Sequence, residues 1–396
     1  MTNETIACEV VYCEGWDPES RSIVHPLPEA TARARNAAGE QYAVVLTSDD
    51  RPLVLIQVCW DADFAGVWLF DEQGRRDRAL DFRRLPTADG EGMLYLRAVE
   101  QWRYSSAEAP EFDEDAATHS KEFNNEGEQF DSSFSWGDQE QLEIAKSSGP
   151  VPAFGDWVAL AHLDETLGAG VTLRVQDDPV EGPALTELPW SPPRPAEPPK
   201  LDEFFEVGKV FELTGGRQAT VSVVEGGTLW LPSGKLIASE PTPWIYEDEP
   251  FVESVEPGEY PLVLSVAALS DGSDDVVAAA RLVVSDAETV RWEAALRPGE
   301  DMRMLGDDSY FGVTTDLRRL VLVDAEVAES YEDTIEDSYD DFTEYNQFVV
   351  NVAEDETGAN LLAITSGWRD NNYPVWIGRA ADGKVTSFVF DFLVLG

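Results

Sequence analysis

Residues 201–396 contain neither cysteine nor histidine. That absence removes thiol nucleophiles, imidazole bases and the usual zinc ligands from the C-terminal half, leaving carboxylates, hydroxyls, tyrosines and a few arginines for any chemistry there. Cationic side chains are scarce throughout. Against 77 Asp+Glu stand 28 Lys+Arg, a formal net charge of −49, and the sequence pI is about 4.1. Coulomb repulsion on that scale argues against nucleic acid or an anionic membrane as partner. No apolar run reaches bilayer-spanning length, and the opening Met1-Thr2-Asn3-Glu4 lacks the basic and apolar regions of a signal peptide, so a soluble cytoplasmic protein is expected. The cysteines, Cys8, Cys13 and Cys59, are odd in number and confined to the first part, which fits buried, reduced thiols better than a disulfide scaffold. No glycine-rich phosphate loop precedes a helix, and neither a cofactor nor a metal is expected.

What is present is a folding chain. With 43% hydrophobic residues, 12 Trp and 18 Phe, it can bury cores despite its charge, and its 396 residues exceed one ordinary domain. Pro183 to Pro199 reads PALTELPWSPPRPAEPP, a stretch that cannot supply ladder hydrogen bonds and favours extended geometry. It divides an N-terminal domain, 1–182, from a C-terminal one, 201–396, with 183–200 as linker. In the first, Tyr42–Thr47, Leu53–Trp60, Gly66–Phe70, Arg78–Leu85 and Met93–Tyr104 alternate with turn residues as an antiparallel meander, after a short helix over Ala30–Ala38. Residues 105–148, rich in Glu, Asp, Ser, Asn and Gln, read as a largely irregular acidic insertion. Val151–Leu163 and Gly170–Val175 read as returns to the sheet.

The C-terminal domain reads as a succession of short strands: Thr228–Leu231, Lys235–Ser239, Tyr260–Leu269, Val276–Val284, Arg291–Leu296, Arg319–Val323, Phe348–Val352, Leu361–Ser366, Val375–Arg379 and Val385–Leu395. Asp382-Gly383 marks a hairpin. The fold class is mainly β, all-β to α+β, with a C-terminal β-sandwich or barrel. One helix interrupts it. Tyr331, Ile335 and Tyr339 recur every fourth residue between Glu326 and Asp341, with acids on the opposite face.

Residues 366–379 hold the densest group of candidate binding side chains: Trp368, Arg369, Asp370, Tyr373, Trp376 and Arg379. Aromatics beside convergent polar groups serve either a binding site or a rigid hydrogen-bonded corner. Asp391 interrupts an apolar final strand, and alternation sets it opposite Phe388, Phe390 and Phe392. A carboxylate there needs a partner or solvent, and Arg369 and Arg379 are the partners nearest in pattern. Should Asp316, Asp324 and Asp370 converge on Asp391, they could hold a divalent ion or act as acid and base.

Several segments, in order, resemble a bacterial family catalogued as domain of unknown function 4241. They are Leu229-Trp230-Leu231-Pro232-Ser233-Gly234-Lys235, Pro257-Gly258-Glu259-Tyr260-Pro261, Ala279-Ala280-Arg281, Arg291-Trp292-Glu293, Phe311-Gly312, Ser366-Gly367-Trp368, Tyr373-Pro374-Val375-Trp376-Ile377-Gly378 and Asp391-Phe392. The resemblance covers roughly residues 225–396 and implies no activity, cofactor or catalytic residue. The family's Gly-Trp-Gly-Asp-Gly loop stands here as Gly367-Trp368-Arg369-Asp370-Asn371, and its Phe-Gly-x-Gly-Val-Asp as Phe311-Gly312-Val313-Thr314-Thr315-Asp316. Both lose glycines that would let backbone approach a ligand.

Three functional readings follow. The first is a non-enzymatic acidic module that binds a protein with a basic surface, of the kind an immunity protein offers a toxin. The second is a carboxylate- or metal-dependent hydrolase using Asp316, Asp324, Asp370 and Asp391. The third is a small-molecule sensor with the aromatic corner as its pocket. The sequence leans towards the first and leaves the oligomeric state open.

Overall fold

The computed structural model describes residues 5–87, 92–123, 129–134, 148–163, 170–176, 179, 185, 187–315, 318–337, 347–353, 358–368 and 371–395, with 129–134 and 337 as backbone only. The protein is mainly β, 50% strand and 11% helix. It divides into two compact units, Met1–Arg194 and Pro195–Gly396.

The first unit is one sheet built from β1 (Thr5–Asp17), β2 (Ser22–Pro26), β3 (Tyr42–Ser48), β4 (Arg51–Cys59), β5 (Phe64–Phe70), β6 (Arg76–Pro86), β7 (Gly92–Arg103), β8 (Ala117–Phe123), β9 (Gln129–Phe134), β10 (Ser148–Pro150) and β11 (Gly170–Val175). Its order is β11-β1-β3-β4-β5-β6-β7-β8-β9, an antiparallel meander except that β11 joins β1 in parallel. Helix α1 (Glu29–Ala38) ends where Gly39 takes a left-handed φ of 85°. Inward residues such as Val44, Leu46, Ile56, Val67, Leu80 and Leu96 form the main core on one face. The three cysteines are buried and free, and burial pushes the Cys13 thiol up to about 12.

Two expectations change here. Part of 105–148 is ordered sheet: β8 buries His119, Lys121 and Phe123 while Glu122 stays exposed. Alternation was present, but polar residues occupied the buried row and hid it. Val151–Leu163 does not return as a strand. Gly155 at φ 97° breaks it, and Asp156 accepts from the Ala159 amide to start helix α2 (Trp157–Leu160). Trp157 packs edge-on against Tyr12 and Tyr42. Within the proline-rich stretch, Trp190 donates its indole N–H to the Glu14 carbonyl at 2.9 Å and receives the Gln41 amide on its own carbonyl at 2.5 Å, which fixes that residue to the first unit.

The second unit comprises β12 (Val210–Glu212), β13 (Gln218–Leu231), β14 (Leu236–Ser239), β15 (Gly258–Leu269), β16 (Val276–Val283), β17 (Arg291–Ala294), β18 (Gly312–Thr315), β19 (Arg319–Asp324), β20 (Val349–Ala353), β21 (Asn360–Thr365), β22 (Asn371–Arg379) and β23 (Val385–Asp391). The larger sheet runs β12-β13-β15-β16-β23-β22-β17, with β18 also on β22; the smaller runs β14-β19-β21-β20. Leu236, Ala238, Leu320, Leu322, Leu362 and Ile364 of the smaller sheet share a core with Leu264, Leu282, Phe388 and Phe390 of the larger. The alternate residues, Ile237, Val321, Val323, Leu361 and Ala363, face a second cluster with Ile245, Ala328, Tyr331 and Ile335. Strands buried on both faces read as continuous apolar runs, as Leu320, Val321, Leu322 and Val323 do between Arg319 and Asp324.

Helix α3 (Glu332–Asp337), continued from a 3-10 turn over Ala328–Tyr331, supplies Tyr331 and Ile335 to that cluster. This is the acidic amphipathic helix; Tyr339 lies outside the described residues. Among the described residues, no helix is long and apolar enough to cross a membrane.

Candidate interaction surface

The two candidate carboxylates among the described residues, Asp324 and Asp391, end strands of different sheets. Asp324, fully buried at the end of β19, accepts from the Ser233 amide at 2.9 Å, the Ser233 hydroxyl at 2.8 and 2.9 Å, and the Glu326 amide at 2.9 Å. Asp391 ends β23 in the other sheet, paired in register with Ala279, and accepts from the Leu393 amide at 2.9 Å. Burial pushes its carboxyl up to about 6, against the pull of that amide. Asp316, Arg369 and Asp370 lie outside the described residues. Among the described residues no three His, Cys, Asp or Glu side chains gather as metal ligands would.

The aromatic corner is largely core. Tyr373 and Trp376 are each 2% exposed, Tyr373 meets Phe392 edge-on at 5.2 Å, and Trp368 is half-buried with the Arg217 guanidinium 5.3 Å from its ring centre. Arg379 turns away from Asp391. Its guanidinium binds Glu253 at 2.5 Å and Glu293 at 2.6 Å, which corrects the pairing expected from pattern. Opposite Gly378 and Arg379 the neighbouring strand β23 carries a bulge, with Thr386 as its extra residue.

A different region of the same unit has the character of a contact surface. The loop from Glu240 to Glu253 is held at several points: the Phe251 amide donates to the Leu236 carbonyl at 3.0 Å, Val252 to Leu296 at 2.8 Å, and the Ser239 hydroxyl to Asp248 at 2.5 Å. A 3-10 turn, Ile245–Glu247, inserts fully buried Ile245 beside Tyr331 and Ile335. The same turn leaves Trp244 60% exposed, and Val252 further along the loop is 66% exposed. A large aromatic on a pinned loop loses little freedom when a partner covers it.

Around it are carboxylates. Glu247, Glu249, Glu329, Asp333 and Glu336 are exposed. Burial, then the charges of Glu332, Glu247 and Glu329, raise the hydroxyl pKa of Tyr246, which places these acids about one phenol ring. None of the six, Glu332 included, has an ion pair among the described residues. Sequence reading found the acidic helix face but missed Trp244. The available signal was its setting, Pro241-Thr242-Pro243-Trp244, a tryptophan outside any strand pattern and followed by Glu247-Asp248-Glu249.

Residues 229–390 match the family described as protein of unknown function (DUF4241), in agreement with the resemblance carried by the tryptophan, proline and glycine motifs of the C-terminal part. The matched span contains β14, the Trp244 loop, α3 and β22. No curated protein matches the chain.

Proposed function

We propose that the second unit is an acidic protein-interaction module that engages a basic partner protein through the Trp244 loop and the outer face of α3. The observation that carries this reading is Trp244, 60% exposed on a loop anchored to the small sheet, two residues before Tyr246, whose ring is surrounded by Glu247, Glu329 and Glu332, which have no neutralising cation among the described residues. Exposed tryptophan is the residue type most enriched among binding hot spots. Uncompensated carboxylates around it steer a cationic partner and set orientation, while the indole supplies the desolvated contact. An immunity-type pairing with a basic toxin is one form this could take.

The structural duties of Asp324 support binding over carboxylate chemistry. Its hydrogen bonds, to Ser233 and Glu326, leave it holding a turn together.

The test is capture from lysate with the whole chain immobilised, eluted by stepped salt, beside Trp244→Ala and Glu329→Lys/Glu332→Lys variants. Basic proteins retained at low salt, released as salt rises and lost from both variants are expected. Retention that ignores salt, or is equal for all three chains, overturns the reading.

A further inference from the structure

The first unit contains a hollow that the partner reading does not use. Residues opposite one another across β4, β5, β6 and β7 share a sheet face. One such row is Gln57, Gly66, Asp81 and Ala98; the next includes Trp68, Ala79 and Glu100. The opposite face of these strands, with Val67, Leu80 and Val99, belongs to the main core. On the face in question, Gly66, Ala79 and Ala98 have almost no side chain. Larger neighbours therefore wall a concavity of about 190 Å³, whose lining Ser191 and Pro193 complete. A Cβ on Gly66 would stand 2.7 Å from the Phe64 ring, so glycine is required for Phe64 to lie there.

The walls are charged in a particular way. The register steps from Asp81 opposite Ala98 to Phe82 opposite Leu96, so Arg97 is the extra residue of a bulge and its side chain lines the hollow. Arg83 at 3.0 Å and Arg97 at 3.2 Å both bind one oxygen of Asp81, Oδ2. The other, Oδ1, is enclosed and has no hydrogen-bond partner among the described residues. Gln57 accepts from the Trp68 indole at 2.9 Å, which uses its oxygen. Glu100, at the rim, keeps part of its surface in solvent and has no hydrogen bond or ion pair among the described residues; partial desolvation of its carboxyl, then the charge of Glu122, raises the pKa. Oδ1 has no accessible surface and Oδ2 is taken by the two arginines, which leaves Glu100 as the carboxylate open to a ligand in the hollow.

We infer that this hollow is a binding site for a small organic cation, an ammonium or guanidinium group on a short apolar arm. The cation would sit against the Glu100 carboxylate, and the arm would lie over Ala79 and Ala98 beside Trp68. The partly apolar lining with a few convergent polar groups is the usual make-up of a small-ligand pocket. It lies in the other unit from the Trp244 surface, so either reading can fail alone.

Calorimetric titration of the whole chain with phenethylamine tests it, with 2-phenylethanol and phenylacetate as neutral and anionic counterparts. Because the protein has a formal net charge of −49 and attracts any cation weakly, Glu225→Gln on β13 of the second unit controls for general attraction. Saturable binding of the amine is expected, unchanged in Glu225→Gln. It should be at least tenfold weaker in Glu100→Gln, in Ala79→Leu (which fills the hollow), and for both counterparts. Circular dichroism verifies that the variants fold. Absence of saturable amine binding, equal binding in the Glu100 or Ala79 variants, or phenylacetate binding as tightly would overturn the inference.

Discussion

Asp324 closes on Ser233, accepting both its amide and its hydroxyl within 2.9 Å, and so fastens the Pro232-Ser233-Gly234 turn to the end of β19 across 91 residues of chain. A buried carboxylate satisfied by backbone and hydroxyl donors is a structural device, because each donor would otherwise be left without an acceptor. Asp324→Ala is therefore expected to cost about 3 kcal/mol of stability, from charge-assisted bonds in a buried setting. Urea denaturation measures it, and an unchanged midpoint would return Asp324 to the pool of candidate reactive groups.

The same turn makes a second prediction. Gly234 has φ of 73°, and a Cβ there would fall 1.8 Å from the Val255 carbonyl oxygen. Gly234→Ala should destabilise the second unit by roughly 3 kcal/mol or more, through strain and backbone collision together. A melting temperature equal to the parent's would mean the turn and the 251–255 segment can separate at little cost.

Asp391 should shape the pH dependence of stability. The unfolded chain releases this proton near pH 3.8 and the folded protein near 6. Between those values the folded state holds more protons, so the contribution to stability falls as pH rises and stays low above 6. Asp391→Asn keeps an acceptor for the Leu393 amide and should raise stability at neutral pH by up to about 3 kcal/mol, with little change below pH 4. Denaturation of both proteins at pH 4 and 7.5 decides it; an equal difference at both values contradicts the burial argument.

Trp244→Ala should separate binding from folding. A side chain this exposed contributes within about 0.5 kcal/mol to stability. A hot-spot indole contributes roughly 2 kcal/mol or more to a complex, some thirtyfold in affinity. Titration with the captured partner and thermal denaturation, run side by side, check both halves. Unaltered affinity would remove Trp244 from the interface.

Much of the fold was legible because apolar residues, in runs or in alternation between turn residues, mark a strand. Tyr42–Thr47, Gly66–Phe70 and Val276–Val284 announced themselves as such runs, and strands stand there. The mark failed at Ala117–Phe123, where His119 and Lys121 fill buried positions, and at Thr5–Asp17, whose glutamates interrupt the pattern although Glu14 is buried beside Arg35 and His25. Arg319 is a similar case: wholly buried, it donates to the Gln347 carbonyl and the Thr365 hydroxyl, contacts remote in sequence.

The sequence by itself determined the β-rich class, the anionic surface, the absence of thiol and imidazole chemistry from the second unit, and the family of residues 229–390. Those follow from composition and local order, which need no neighbours to be read. The tertiary structure alone decided which acid props a turn, that Arg83 and Arg97 share one oxygen of Asp81, that Arg379 serves Glu253 and Glu293, and that Trp244 faces solvent while Trp376 is core. A side chain's role depends on what lies within a few ångströms of it, and strand pairing brings those neighbours from positions as far apart as Thr5 and Gly170.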